Sequence, residues 1–138
     1  MSFSKITDLE MDENSRSFVI AYNFNNKESA TLKNICRLFG IKDIQFVSRK
    51  NANSKISDII NNKIDTFDEE GINEKSMIFS NVNPMKVSAF IDNLKKFRMN
   101  RPLIAFVTEN NVNWTLDTLV SHLLEERMAL KSGKTVKH

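Results

Sequence analysis

Asparagine side chains follow each of four short apolar runs in the sequence. They are Asn23, Asn25, Asn51, Asn53, Asn81, Asn83, Asn110, Asn111 and Asn113. An amide both donates and accepts hydrogen bonds, so it can orient a ligand without repelling either charge. Arg49 and Lys50 add positive charge beside the second group. These residue types predict a site for a small anionic ligand.

The predicted ligand-binding residues are amides near the strand ends, two cations and the single tryptophan. They are Asn23, Asn25, Arg49, Lys50, Asn51, Asn81, Asn110, Asn111 and Trp114. A structural alternative stays open, because asparagine is a preferred helix cap and turn residue and occurs 17 times in 138 residues. Trp114 likewise either stacks on a ligand or packs onto Leu119 as a hydrophobic staple.

A second candidate surface is the basic run Lys95, Lys96, Arg98 and Arg101, with Lys86 one helix face away. Such cations could contact phosphates, but cations near a helix C-terminus also complement the helix dipole. No exposed aromatic side chain is predicted among them for base stacking. Nucleic-acid binding therefore ranks third among the expected functions. The net charge of +3 does not by itself favour nucleic acid as a partner.

Residues for covalent, metal or cofactor chemistry are sparse. No glycine-rich phosphate loop follows the first apolar run, and the histidines are only His122 and His138. The single cysteine, Cys36, lies in an apolar helical stripe, which favours a buried, inert thiol. The sequence therefore predicts no catalytic residues, no metal and no cofactor.

The elements that would position the asparagines follow from hydrophobic periodicity. Short continuous apolar runs, typical of parallel strands covered on both faces, are Phe18–Tyr22, Ile44–Val47, Met77–Phe79 and Leu103–Val107. Asn25 with Glu28 predicts a helix start, Gly40 a helix end, and Asn83 with Pro84 another start. Further helices are predicted from Ile56 to about Lys63 and from Thr115 to near Ser132.

The two halves of the sequence resemble each other. Residues 47–60 share the pattern V-[ST]-x-x-N-x-N-x-x-[IL]-x-x-[IL]-[IV] with residues 107–120, and residues 20–25 match residues 78–83. We therefore predict a three-layer α/β fold with four mainly parallel strands, four helices and a duplicated β-α-β-α unit. In a parallel sheet all the asparagine loops would meet at the carboxyl edge, where such folds bind ligands.

The predicted organisation is a single α/β domain over residues 17–133. Its halves, 17–63 and 76–131, are joined by an acidic surface linker at 64–75, and residues 1–16 and 134–138 are expected to be frayed or disordered. The polar N-terminal segment lacks the apolar core of a signal peptide, and no apolar run approaches the roughly 18 residues of a membrane span. A cytoplasmic location without a membrane partner is expected.

The segment from Pro102 to Leu116, with Leu119, Leu123 and Glu126 following, carries a family resemblance. Its strand ends in V-T-x-x-N-x-x-W-[ST] before a leucine-rich helix, and it resembles a family of small bacterial domains of unknown function over roughly Lys75 to Arg127. In members of the family the leucine-rich helix tends to end with Glu-His, where this chain has Glu126-Arg127. The resemblance implies the fold and contributes no reaction.

These observations rank three functions. The first is a non-enzymatic module that binds an anionic ligand or a protein partner. The alternative is a small enzyme acting on an anionic metabolite at the carboxyl edge of the sheet, and nucleic-acid binding comes third.

Overall fold

The computed structural model describes residues 17–131. The elements in chain order are β1 (Phe18–Tyr22), α1 (Asn26–Leu38), β2 (Asp43–Val47), α2 (Ile56–Ile60), β3 (Ser76–Ser80), α3 (Pro84–Lys96), β4 (Leu103–Phe106) and α4 (Leu116–Lys131), with one 3-10 turn at Arg49–Asn51. The strand-helix alternation agrees with the sequence analysis, although α2 is shorter than predicted. The predictions of disorder for residues 1–16 and 134–138 lie outside the described residues.

The sheet is mixed, and the prediction of four mainly parallel strands is wrong. Its strand order is β2-β1-β3-β4. β1 and β2 are parallel, β3 and β4 are parallel, and the central pair β1 and β3 is antiparallel about Ile20 and Ile78. The sequence could not separate the two arrangements, because a central strand buried on both faces is a continuous apolar run in either orientation.

The antiparallel central pair gives the sheet two different ends. At the first, which we call the Asn23 end, β1 and β2 finish and β3 and β4 begin; at the second, the Asn81 end, β3 and β4 finish. The asparagine loops are therefore divided between two ends, and the expectation that all of them meet at one carboxyl edge is wrong.

Helices cover both faces of the sheet. Side chains alternate along β1, so that Val19 and Ala21 pack with α1 and α3, whereas Phe18, Ile20 and Tyr22 pack with α2 and α4. Full burial of each large apolar side chain stabilises the fold by about 1.5 to 3 kcal/mol. Cys36 is 1% exposed in the α1 layer, and burial raises the pKa of its thiol to about 12, as expected for an inert thiol.

The starts of α1 and α3 and the end of α1 lie where the sequence predicts, whereas the predicted end of α4 near Ser132 lies outside the described residues. The Asn25 side chain accepts from the Glu28 N–H (2.8 Å) and Glu28 accepts from the Asn25 N–H (3.0 Å), which closes the predicted capping box of α1. Asn83 caps α3 by accepting from the Met85 N–H. Gly40 follows α1 in the left-handed region at φ +74°, and Arg98 takes the same place after α3 at φ +59°.

The loops that follow β2 and β4 pair with each other. Lys55 and Thr115 form an antiparallel bridge. On either side of it the Ile56 N–H donates to the Trp114 carbonyl and the Leu116 N–H to the Ser54 carbonyl, both at 3.0 Å. The loops thus satisfy each other's backbone polar groups before α2 and α4 begin.

The predicted linker, residues 64–75, contains no helix or strand but is tied to the Asn23 end. The Gly71 N–H donates to the Arg49 carbonyl (2.9 Å), and the Ile72 N–H donates to the Asp117 carboxylate (2.9 Å). The Tyr22 hydroxyl donates to the Ile72 carbonyl (2.8 Å). A methyl group at Gly71 would lie 2.3 Å from the Ala52 Cβ, so only glycine fits there.

Within residues 17–131, no helix has both the length and the apolar character needed to cross a lipid bilayer.

Candidate functional site

The structure divides the predicted ligand-binding residues into three groups. At the Asn23 end lie Asn23, Asn25, Arg49, Lys50 and Asn51; at the Asn81 end lie Asn81, Asn110 and Asn111; Trp114 packs against the α2 and α4 side. Most of the hydrogen bonds that these side chains make hold the chain's own loops in place.

Arg49 and Lys50 anchor the linker. The Arg49 Nε donates to the Gly71 carbonyl (2.9 Å), and its guanidinium lies 3.6 Å from the Glu70 carboxylate. The Lys50 carbonyl accepts from the Phe67 N–H (2.8 Å), while its side chain is exposed. Arg49 is therefore partly neutralised by the chain itself.

Asn51 and Asn111 close equivalent turns after β2 and β4. The Asn51 Oδ1 accepts from the Ser48 N–H (2.8 Å), and the Asn111 Oδ1 accepts from the Thr108 N–H (2.9 Å). Asn111 is 8% exposed and also donates to the Phe106 carbonyl. These bonds are those of asparagine as a turn residue.

The remaining predicted residues also have local contacts. Asn23 and Asn81 both adopt left-handed backbone angles, φ +70° and +57°, and Asn110 is exposed. The Trp114 ring is partly buried and stacks on the exposed His122 ring, with centroids 4.8 Å apart and planes tilted by 35°. Trp114 thus contacts the helix that follows it and packs against the core cluster that contains Leu119.

A cleft opens at the Asn23 end between α1, the end of the linker and the segment from α3 to β4. It consists of two adjoining depressions of about 290 and 440 Å³ that share Lys75 and Asn100, and we call it the Lys75 cleft. Its lining is rich in cations, namely Lys27, Lys75, Arg98, Arg101 and Arg127. Three amides, Asn23, Asn73 and Asn100, lie among them.

Two carboxylates line the cleft, and each is paired with a cation. Lys75 contacts Glu28, and the Arg127 guanidinium lies 2.8 Å from Glu74. Burial acts to raise the pKa of Glu28, but the hydrogen bonds from Lys75 and the Asn25 N–H, with the Lys75 charge, outweigh it and lower that pKa. The other three cations of the cleft, Lys27, Arg98 and Arg101, have no carboxylate partner among the described residues.

Arg127 reaches the cleft from α4. Its Nε is buried and has no hydrogen-bond partner within residues 17–131, although its terminal nitrogen pairs with Glu74. A buried N–H without a partner is costly, by about 1 to 3 kcal/mol.

Sequence reasoning found part of this cleft. Arg98 and Arg101 belong to the basic run that the sequence singles out, and Asn23 is a predicted site residue. Lys27, Lys75 and Arg127 lie on separate elements, and no spacing in the chain links them. The expectation that no exposed aromatic side chain interleaves with the basic run is wrong, because Phe97 is 49% exposed between Lys96 and Arg98.

A similar protein family was found for the second half of the chain. Neither the curated proteins nor the solved structures compared contain a match to it. Residues 75–130 match the family described as Domain of unknown function (DUF3783). The match runs from just before β3 through nearly all of α4, and it includes Lys75, Arg98, Arg101 and Arg127 but not Asn23 or Lys27. Over its second half, the chain is similar to this uncharacterised domain family.

Proposed function

We propose that this chain is a non-enzymatic binding module whose Lys75 cleft takes up a small anionic ligand. The observation that carries the proposal is the set of three cations, Lys27, Arg98 and Arg101, that line the cleft without a carboxylate partner among the described residues. Positive charges gathered in a concave surface raise the local concentration of anions.

The amides of the cleft suit the same ligand. The Asn23 side chain donates to Asn73 Oδ1 at 2.8 Å, which aligns two amides at one wall. Asn100 is exposed and borders both depressions. Amides orient a phosphate or carboxylate without cancelling the charge that attracts it.

The backbone of Arg98 gives separate support. A residue other than glycine in the left-handed region costs roughly 1 to 2 kcal/mol, and Gly40 occupies the corresponding place after α1. Strained backbone conformations cluster at functional sites. An anion-binding role for the Arg98 guanidinium accounts for it.

Binding is favoured over proton transfer by the state of the carboxylates. General acid and base catalysts have pKa values near the working pH, whereas the pKa of Glu28 is lowered and its carboxylate is held by Lys75. Glu74 is held by Arg127 in the same way. The cleft is thus equipped to hold an anion.

We infer further that the chain is a duplicated β-α-β-α unit. We also infer that the residues from Val107 to Thr115 form the motif of the bacterial family, and that the protein is located in the cytoplasm. The hydrogen bonds between the loops support the duplication because they are reciprocal. The Ser57 N–H donates to Val112 as the Asp117 N–H donates to Ala52, and each donor and acceptor lies 60 residues from its counterpart. The helices α1 and α3 each contain 13 residues.

Isothermal titration of the full chain with pyrophosphate tests the proposed site. The expected dissociation constant is on the order of 0.1 to 1 mM, which corresponds to about 4 to 5.5 kcal/mol. Arg101→Gln should weaken binding about fivefold to tenfold. Arg37→Gln is the matched control, since it removes the same charge from an exposed position at the far end of α1.

Equal weakening by both variants would mean that pyrophosphate responds to net charge and not to the cleft. Absence of binding at millimolar pyrophosphate, both by heat and by amide NMR shifts and with the chain folded, would contradict the proposed function directly.

A further inference from the structure

The larger depression of the Lys75 cleft has an apolar wall. Phe24 and Met99 line it as partly buried side chains, and Phe97 lines it with half of its surface exposed. A phenyl ring left open to water forgoes much of the stabilisation that burial would give. An exposed aromatic ring in a cleft is the kind of surface on which a planar group stacks.

The position equivalent to Phe97 shows that the ring could have been placed in the core. Phe39 occupies the same place after α1, is partly buried, and meets the Phe90 ring edge-to-face at 6.2 Å. Phe97 has no such ring contact within the described residues. The difference leaves one aromatic ring half exposed beside the cations.

Charges continue from the apolar wall into the second depression. Lys27 and Arg98 flank the wall, Lys75 and Asn100 border both depressions, and Arg101 lies beyond them. The two depressions together fall within the range of about 300 to 1,000 Å³ typical of small-molecule sites. A ligand that matches this order has a planar ring at one end and an anionic group at the other.

We propose that the Lys75 cleft binds a nucleoside phosphate, with its base on Phe97 and its phosphate among Lys75, Arg98 and Arg101. This inference rests on the proposed anion-binding function and adds the ring to it. The Asn100 amide, at the junction, can donate to and accept from polar groups of the base or sugar. Stacking of one base on an aromatic side chain strengthens binding by about tenfold in typical cases.

Titration of the full chain with AMP, adenosine, ribose 5-phosphate and inorganic phosphate tests the ring and the anion separately. AMP should bind about tenfold more tightly than ribose 5-phosphate. Phe97→Ala should reduce AMP to the affinity of ribose 5-phosphate and leave the affinity of phosphate unchanged, and Phe97→Leu, which keeps an apolar side chain, should lose most of the same difference. Met85→Ala is the control, because Met85 is 81% exposed at the Asn81 end.

The outcomes separate this inference from the function on which it rests. If AMP and inorganic phosphate bind equally well, the ring has no part and only the anion site stands. If none of the four compounds binds, both proposals fail. A single-stranded oligonucleotide of ten nucleotides that binds more than a hundredfold more tightly than AMP would overturn the proposal of a mononucleotide ligand in favour of a nucleic-acid strand.

Discussion

The two ends of the sheet share several backbone features but carry different side chains. Asn25 and Asn83 cap helices of equal length, and both helices are followed by a left-handed residue. Yet Lys27 at the Asn23 end corresponds to the exposed Met85 at the Asn81 end, and Arg98 corresponds to Gly40. The scaffold thus sets similar caps and turns at both ends, whereas Lys27 and Arg98 give the Asn23 end two of the cations that line the Lys75 cleft.

The linker makes a second difference between the ends. It binds to the Asn23 end through Gly71 and Ile72, and it covers Tyr22, whose counterpart in β3 is the shorter Ser80. The Asn23 end therefore carries the Lys75 cleft and is also partly covered by an extra layer of chain.

The largest expected effect comes from breaking that closure. Gly71→Ala places a methyl group against Ala52 and near the Asp117 and Tyr22 oxygens, so it should cost about 2 to 3 kcal/mol of unfolding free energy through overpacking. Urea denaturation measures this. Gly40→Ala, where the space is open but φ is +74°, should cost only about 1 kcal/mol, and equal costs would contradict the account of the linker.

Tyr22, the only tyrosine, reports whether the linker seals the Asn23 end. Burial, followed by the Asp117 charge, raises its pKa to about 12. Because the folded-state pKa lies above the unfolded value of about 10, the neutral phenol contributes stability below pH 10 that is lost as pH rises toward 12. Absorbance at 295 nm should show almost no tyrosinate in the folded chain at pH 10.5, and a native titration near pH 10 would contradict burial.

Replacing Arg98 with glycine, the residue type at the corresponding position 40, should change stability and anion binding in opposite directions. Arg98→Gly removes left-handed strain, offset in part by glycine's greater unfolded-state entropy, and should raise stability by about 0.5 kcal/mol. The same change should weaken pyrophosphate binding severalfold. Thermal melting and titration on one sample check both, and a variant that is stabilised without losing affinity would remove Arg98 from the site.

The smallest effect concerns Glu28, whose counterpart at the other end is Lys86. Its lowered pKa means that the contact with Lys75 stabilises the folded chain above the ordinary glutamate pKa and that this contribution is lost as pH falls. Glu28→Gln should cost less than about 1 kcal/mol at pH 7, and this cost should decrease as pH falls through the lowered pKa of Glu28. A cost that stays the same at pH 3 would assign it to packing.

The sequence predicts local structure well because local signals are strong. The Asn25–Glu28 capping box, the Asn83–Pro84 start and the Gly40 stop each depend on neighbouring residues, and all three are present. Strand orientation was missed because apolar runs in β1 and β3 carry no directional signal. Lys75 and Arg127 were missed because only the tertiary fold brings them to Arg101.

Amide NMR shifts of the full chain during a pyrophosphate titration test the central claim, that the anion binds at the Asn23 end. The proposal predicts saturable shifts at residues 23–28, 73–75 and 97–101, with residues 81–86 and 108–113 unchanged. Shifts confined to residues 81–86 and 108–113, or the same small drift at both ends, would contradict it.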